Sequence, residues 1–196
     1  MTPTLPLPRC CVITPEPSSA SAADCHAFLD RLSAVLARGE TLVQLRVKSL
    51  DADAFARLAA DALARCNAAG AQLMLNGPID AAGVMQLDGA GWHLDGAALR
   101  AVAQRPLPAS RRMSAACHAA DDLALAARTG VDFVTLSPVL PTLSHPGAPT
   151  LGWTRFATLA AHAAMPVYAL GGMTRAHLDD ARRHGAYGVA GIRGFW

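Results

Sequence analysis

The feature of this sequence that most restricts its fold is a regular alternation of short apolar runs with alanine-rich stretches of helical character. Each unit takes about 20–25 residues, and this order predicts parallel strands joined by right-handed crossovers. The predicted strands are Cys10–Thr14, Thr41–Val47, Gln72–Asn76, Gly91–Leu94, Arg112–Cys117, Asp132–Ser137, Pro166–Leu170 and Tyr187–Ile192. The predicted helices are Ala20–Arg38, Leu50–Ala69, Asp80–Met85, Ala97–Gln104, Ala119–Arg128, Trp153–Ala164 and Thr174–His184. Eight such strands indicate a closed (β/α)8 TIM barrel more than an open sheet.

The pattern lacks an eighth helix, because the sequence stops at Trp196, soon after the last predicted strand. No linker, charge run or low-complexity segment divides the chain, so residues 1–196 are predicted to form a single barrel domain. Without a last helix, the outer faces of the first and eighth strands would be partly uncovered. We expect Phe195 and Trp196, or a second subunit in a homodimer, to cover this apolar surface.

The composition agrees with a barrel and argues against several other classes of protein. Hydrophobic residues make up 52% of the chain and charged residues 16%, as expected when strands are covered on both faces. The net charge of +2, without a basic cluster, gives no indication of nucleic-acid or membrane binding. The five cysteines show no CxxC pair or metal-ligand spacing, and no apolar run is long enough to span a membrane. We therefore expect a cytoplasmic protein without a disulfide framework.

Polar residues lie at the ends of the second and third strands, where barrels of this kind place their reactive groups. Gln44, Arg46 and Lys48 alternate along the second strand, so one face carries two cations. These cations either bind an anionic ligand or form a structural ion pair. Asn76 ends the third strand, as a site residue or as a turn residue before a Gly-Pro pair.

The fourth and fifth strands add two histidines. His93 lies within the fourth strand and is interpreted as a core histidine in preference to a ligand, while Asp95 lies just after it at the rim. His118 directly follows the fifth strand, where an imidazole either transfers protons or caps the next helix. Cys117 has no evident base in the sequence and is interpreted as a small core residue.

The last three strand ends indicate a phosphate site. The loop after the sixth strand is interpreted as a flap over the mouth of the barrel, and it offers Thr142, Ser144 and His145. The glycines that follow strands seven and eight let backbone N–H groups approach a phosphate, and a neighbouring arginine adds charge. These residues are Gly171, Gly172, Gly191 and Arg193. The alternative is that the paired glycines form only tight turns.

Taken together, these motifs resemble one family over nearly the whole chain. They are Gln44-Leu45-Arg46-x-Lys48, Asn76, Gly91-x-His93-Leu94, His118, Ser137-Pro138-x-x-Pro141-Thr142, Ala169-Leu170-Gly171-Gly172-Met173 and Gly185-Ala186-x-Gly188-Val189-Ala190. The sequence is similar to thiamine phosphate synthase and to its relative, the TenI-type thiazole tautomerase. Its tail looks most like the thiamine-phosphate-synthase-like domain that is fused to Nudix hydrolases.

The resemblance implies roles for these residues. In the synthase, a pyrimidine diphosphate loses pyrophosphate, which Mg²⁺ binds. The nitrogen of a thiazole phosphate then captures the pyrimidine cation. Gln44, Arg46 and Lys48 match the pyrophosphate site, and the segment around Thr142 and Ser144 matches the one that contacts both ligands. The turns after strands seven and eight match the thiazole phosphate site. In the tautomerase, which needs no metal, the acid/base histidine matches His118.

The sequence departs from this pattern at the metal. Gly77 and Ala98 stand where the family has two aspartates that hold Mg²⁺, Ala116 replaces a serine, and His145 replaces a lysine. Mg²⁺ binds through one or two carboxylates plus substrate phosphates, so these changes leave little to hold it. Asp80 and Asp95 lie near the vacated positions as candidate substitutes.

Three functions follow from these observations. The first is a thiamine-biosynthesis protein of the synthase type, which binds a phosphorylated thiazole at the barrel mouth and has lost its metal ligands. The second is a thiazole tautomerase that uses His118. The third is a barrel without catalytic activity that binds a phosphorylated ligand as the partner of a Nudix hydrolase.

Overall fold

A computed structural model confirms the predicted barrel and describes residues 6–142, 147 and 149–196. All eight strands are parallel and pair in sequence order, with β8 closing against β1. The strands are β1 (Cys10–Ile13), β2 (Leu42–Arg46), β3 (Gln72–Asn76), β4 (Gly91–Leu94), β5 (Met113–Cys117), β6 (Phe133–Leu136), β7 (Val167–Ala169) and β8 (Gly188–Gly191). The helices are α1 (Ala22–Leu36), α2 (Ala52–Ala68), α3 (Ala81–Gln86), α4 (Gly96–Ala101), α5 (Ala120–Thr129), α6 (Gly152–Ala160) and α7 (Leu178–Arg183).

Alternation along each strand divides the apolar side chains between two cores. One set faces outward and packs under the helices. The other fills the barrel interior and consists of Cys11, Ile13, Leu42, Met74, Phe133, Tyr168 and Ala190. The amino end of the barrel is closed by the segment before β1, where Tyr168 and Tyr187 donate hydroxyl hydrogen bonds to the carbonyls of Pro8 and Leu7. Among the described residues, the pocket that reaches the barrel interior lies at the carboxyl ends of the strands.

Aspartates begin three consecutive helices after the strands that precede them. Asp51 caps α2, Asp80 caps α3 and Asp95 caps α4, each by accepting hydrogen bonds from backbone N–H groups of the first turn. The single helix predicted for residues 174–184 is divided in two. It begins as a 3₁₀ turn over Arg175–His177, because the His177 imidazole accepts from the Thr174 N–H at 3.0 Å and tightens that turn.

The two last residues, Phe195 and Trp196, pack against the outer core of the barrel. Phe195 folds back against β8 and is 2% exposed, and the Arg38 guanidinium donates to its carbonyl at 2.6 Å. Trp196 packs on Phe28 of α1 with ring centroids 5.0 Å apart. Phe195 and Trp196 therefore cover the seam between β1 and β8, which is one of the two possibilities that the sequence predicted. The homodimer stays a prediction.

Candidate functional site

The open end of the barrel holds a pocket of about 710 Å³ at the carboxyl ends of the strands, which we call the mouth pocket. Its volume is typical of a site for a small ligand. The predicted site residues that line it are Gln44, Arg46, Lys48, Asn76, His118, Thr142, Gly171, Gly172, Gly191 and Arg193. Asp95 and His93 line it as well. Ser144 and His145 lie outside the described residues, and Asp80 does not line the pocket.

A second concavity, of about 730 Å³, lies at the amino end between α6, α7 and the starts of β7 and β8. It is broad and open, and Arg182 and Arg183 beside it are exposed to solvent. None of the predicted site residues that the structure describes lies there. The mouth pocket is therefore the candidate functional site, because the described residues predicted for the site converge there.

The deep part of the mouth pocket, its floor, carries neutral polar groups. Gln44 and Asn76 are buried and bonded to each other, with the Asn76 side-chain amide donating to the side-chain Oε1 of Gln44 at 3.2 Å. The His93 Nδ1 lies 2.8 Å from the Ser114 hydroxyl, and His93 is only 3% exposed. Burial lowers the pKa of His93 to about 3, so the ring is neutral. His93 is thus the buried, hydrogen-bonded histidine that we expected, and it also lines the site.

Neutral burial of His93 predicts acid sensitivity of the fold. In the unfolded chain a histidine has a pKa near 6.5, so between about pH 6.5 and 3 the unfolded state binds an extra proton. Stability therefore falls as the pH drops through this window, by roughly 2–3 kcal/mol between pH 6.5 and 4.5. Urea unfolding at both pH values should show this loss in the wild type, and His93→Gln should remove that component. An equal pH dependence in the two proteins would contradict the assignment.

The rim of the mouth pocket carries charges, and most of them are paired. Lys48 donates to Asp95 at 2.6 Å, and Arg46 lies 3.5 Å from Glu16. Hydrogen bonds from the Ala98 N–H and then from Lys48 hold the pKa of Asp95 below its usual range. The structural ion pair that the sequence left as an alternative is thus present at Lys48. Arg193 is exposed, and none of the described residues pairs with its guanidinium.

Sequence reasoning did not identify Glu16, which organises the start of the β2–α2 loop. Its carboxylate accepts from the backbone N–H groups of Lys48 and Ser49 and from the Ser49 hydroxyl at 2.9 Å. Its position shortly after β1, in Thr14-Pro15-Glu16, was the available signal, since reactive groups follow strands in this fold. Glu16 therefore fixes the backbone from which Lys48 extends.

His118 is held in one orientation at the rim. Its Nδ1 lies 2.8 Å from the Ser137 carbonyl, which accepts hydrogen bonds only, so Nδ1 carries the proton. In the neutral ring Nε2 is then the basic nitrogen. The alternative in which His118 caps α5 is wrong, because the Asp122 carboxylate accepts from the backbone N–H groups there. Cys117 is fully buried, and burial raises the pKa of its thiol to about 12, which agrees with a core residue.

The glycine turn after β7 packs against the loop that follows β6. Gly171 has a φ of +98°, and a Cβ there would lie 2.7 Å from Pro138 Cα. The Leu140 N–H donates to the Gly171 carbonyl at 3.1 Å. The N–H groups of Gly171 and Gly172 have no hydrogen-bond acceptor among the described residues. The turn is therefore a tight one, as in the alternative reading of the sequence. Gly171, Gly172 and Arg193 all line the mouth pocket.

The described residues at the mouth do not fit an Mg²⁺ site. A Cβ at Gly77 would lie 2.5 Å from the Val47 carbonyl and against the buried ring of Phe55, so a carboxylate cannot be placed there without repacking. Asp95 already accepts from Lys48 and two backbone N–H groups, and Asp80 caps α3. Within residues 6–142, 147 and 149–196 no three His, Cys, Asp or Glu side chains are grouped to hold a metal ion.

The fold and the mouth pocket define a (β/α)8-barrel protein with a pocket sized for a small ligand at the carboxyl ends of its strands. The family model described as thiamine monophosphate synthase matches residues 10–195. The chain is 32% identical over 187 residues to the thiamine-phosphate synthase of Chlorobium luteolum, covering 94% of this chain and 84% of that protein. It is also 32% identical over 168 residues to that of Thiobacillus denitrificans, covering 85% and 79%. The chain belongs to the thiamine monophosphate synthase family.

A solved structure shows the same fold. The thiamine phosphate pyrophosphorylase from Pyrococcus furiosus superposes with a TM-score of 0.72 over 94% of this chain and 85% of that one, at 17% sequence identity. None of the helices in the described part of the chain is long and apolar enough to cross a membrane.

Proposed function

We propose that this protein binds a phosphorylated thiazole in the mouth pocket, with the phosphate held by Arg193 and the glycine turn after β7. The observation that carries this proposal is the pairing of charges at the rim. Arg46 and Lys48 already face Glu16 and Asp95, whereas Arg193 has no partner among the described residues. A guanidinium and backbone N–H groups without partners among the described residues, all at the same pocket, match the chemistry of a phosphate.

The ion pairs at the rim also distinguish the two parts of a synthase site, the diphosphate part and the thiazole phosphate part. A diphosphate at Arg46 and Lys48 would have to displace Glu16 and Asp95, and the residues present do not suit an Mg²⁺ ion that would neutralise it. In the thiazole phosphate part, no described carboxylate would have to be displaced from Arg193. We therefore propose a synthase-like protein that retains its thiazole phosphate site and does not use Mg²⁺.

Arg193→Ala is expected to weaken binding of thiazole phosphate by about one to two decades. A charge-assisted hydrogen bond is worth roughly 1.5–3 kcal/mol, and each decade corresponds to about 1.4 kcal/mol. Isothermal titration calorimetry measures the effect, with and without Mg²⁺. Arg182→Ala, which removes the same charge at the amino end, is the matched control and should bind like the wild type.

Two further titrations make this experiment specific. The dephosphorylated thiazole should bind the wild type and Arg193→Ala equally, because it does not use the phosphate site. Pyrimidine diphosphate should bind weakly and without dependence on Mg²⁺. Unchanged affinity for thiazole phosphate in Arg193→Ala, or Mg²⁺-dependent binding that Asp95→Ala or Asp80→Ala abolishes, would overturn the proposal.

His118 favours thiazole tautomerase as a second candidate function. The Ser137 carbonyl fixes the Nδ1 proton of His118, so the basic Nε2 is available at the rim for proton transfer. Proton exchange on thiazole carboxylate phosphate, followed by NMR in D₂O, separates this candidate from the first. The third candidate, a partner of a Nudix hydrolase, stays a prediction.

A further inference from the structure

The floor of the mouth pocket contains a buried hydroxyl without a partner. Thr135 lies on β6, lines the pocket and is 1% exposed, and its Oγ1 makes no hydrogen bond to the described residues. Buried polar groups are almost always paired, and an unpaired one is destabilising. Sequence reasoning did not single out this threonine.

The neighbouring strands cannot supply the missing partner. In the sheet register Thr135 lies opposite Ala116 of β5 and Tyr168 of β7. Ala116 has no polar side-chain atom, and the Tyr168 hydroxyl points to the amino end, where it donates to the Pro8 carbonyl. The Thr135 hydroxyl is therefore left for a molecule that enters the pocket.

The other polar groups of the floor restrict what that molecule can be. His93 is neutral, and none of the described residues bonds to its Nε2. The Gln44 and Asn76 side-chain amides are also uncharged and buried. A charged group at this depth would lose its hydration without gaining a counter-ion, so the floor excludes it. A purely apolar ring edge would leave the hydroxyl unpaired.

We propose that Thr135 is a specificity-determining residue whose hydroxyl bonds an uncharged ring heteroatom of a heterocycle whose phosphate lies at the rim. This inference rests on the proposed function and adds the recognition of the ring to that of the phosphate. The pocket then has two zones, with a cationic rim for the phosphate and a neutral polar floor for the ring.

Thr135→Val tests this inference, because it replaces the hydroxyl with a methyl group of nearly the same shape. Thiazole phosphate should bind the variant about 5- to 100-fold more weakly, since its heteroatom loses a buried partner. The thiophene analogue, which lacks the ring nitrogen, should bind the variant and the wild type alike. The wild type should therefore discriminate between the two ligands, and Thr135→Val should not.

Thr129→Val is the matched control. Thr129 is on α5, is 2% exposed and also has an unpaired Oγ1, but it does not line the pocket. Its replacement should leave both affinities unchanged. Equal affinity of Thr135→Val and the wild type for thiazole phosphate, with Arg193→Ala still weakened, would overturn this inference alone. A wild type that does not bind thiazole phosphate would overturn both proposals.

Discussion

Phe195→Ala is expected to lower the free energy of unfolding by about 3–5 kcal/mol, the range for truncating a buried phenylalanine. Phe195 is 2% exposed and packs in the outer core beside β8. Its ring lies under the Arg175 guanidinium, with 5.0 Å from Cζ to the ring centroid, and Arg175 is paired with the buried Glu40. The truncation therefore opens a cavity beside β8 and removes a cation–π contact.

Urea unfolding followed by far-UV circular dichroism measures this loss. Trp196→Ala is the control, because Trp196 is only partly buried and packs on Phe28 alone among the aromatic rings described. Its effect should be clearly smaller. A loss below about 1 kcal/mol in Phe195→Ala, together with a wild-type midpoint that rises with protein concentration, would show that a second subunit covers the seam instead.

Gly171→Ala is the second substitution with a large expected effect, about 2–6 kcal/mol of lost stability. Two terms add: the φ of +98° is strained for an alanine, and the new Cβ would lie 2.7 Å from Pro138 Cα and 3.0 Å from Val139 N. The Pro138–Val139 backbone has to move, and it borders the mouth pocket. Affinity for thiazole phosphate should therefore fall as well.

Gly39→Ala separates the backbone strain from the steric contact of the new Cβ. Gly39 has a similar φ of +87°, but a Cβ there would have no heavy atom within 4 Å. Its replacement should cost about 1–2 kcal/mol through strain alone and should leave ligand affinity unchanged. If Gly39→Ala and Gly171→Ala were equally destabilised, the contact with the β6 loop would not contribute.

The residues at the strand ends show which part of the candidate site can be predicted from the sequence. Alternation along β2 is enough to predict that Gln44, Arg46 and Lys48 share one face, and all three line the mouth pocket. The sequence leaves open whether the two cations are free. The answer depends on Glu16 and Asp95, which come from other loops and meet them only in the folded barrel.

The sequence by itself determined the architecture of this protein and the end of the barrel at which its candidate site lies. Strand and helix periodicity are local properties, and parallel connections bring all carboxyl ends of the strands to one edge. Only the tertiary structure decided which polar groups are paired. It pairs Lys48 with Asp95, leaves Arg193 and the Thr135 hydroxyl without partners among the described residues, and packs Phe55 where a carboxylate at position 77 would lie. The reason is physical: partners distant in sequence meet only when the barrel closes, and burial then fixes the charge and availability of each group.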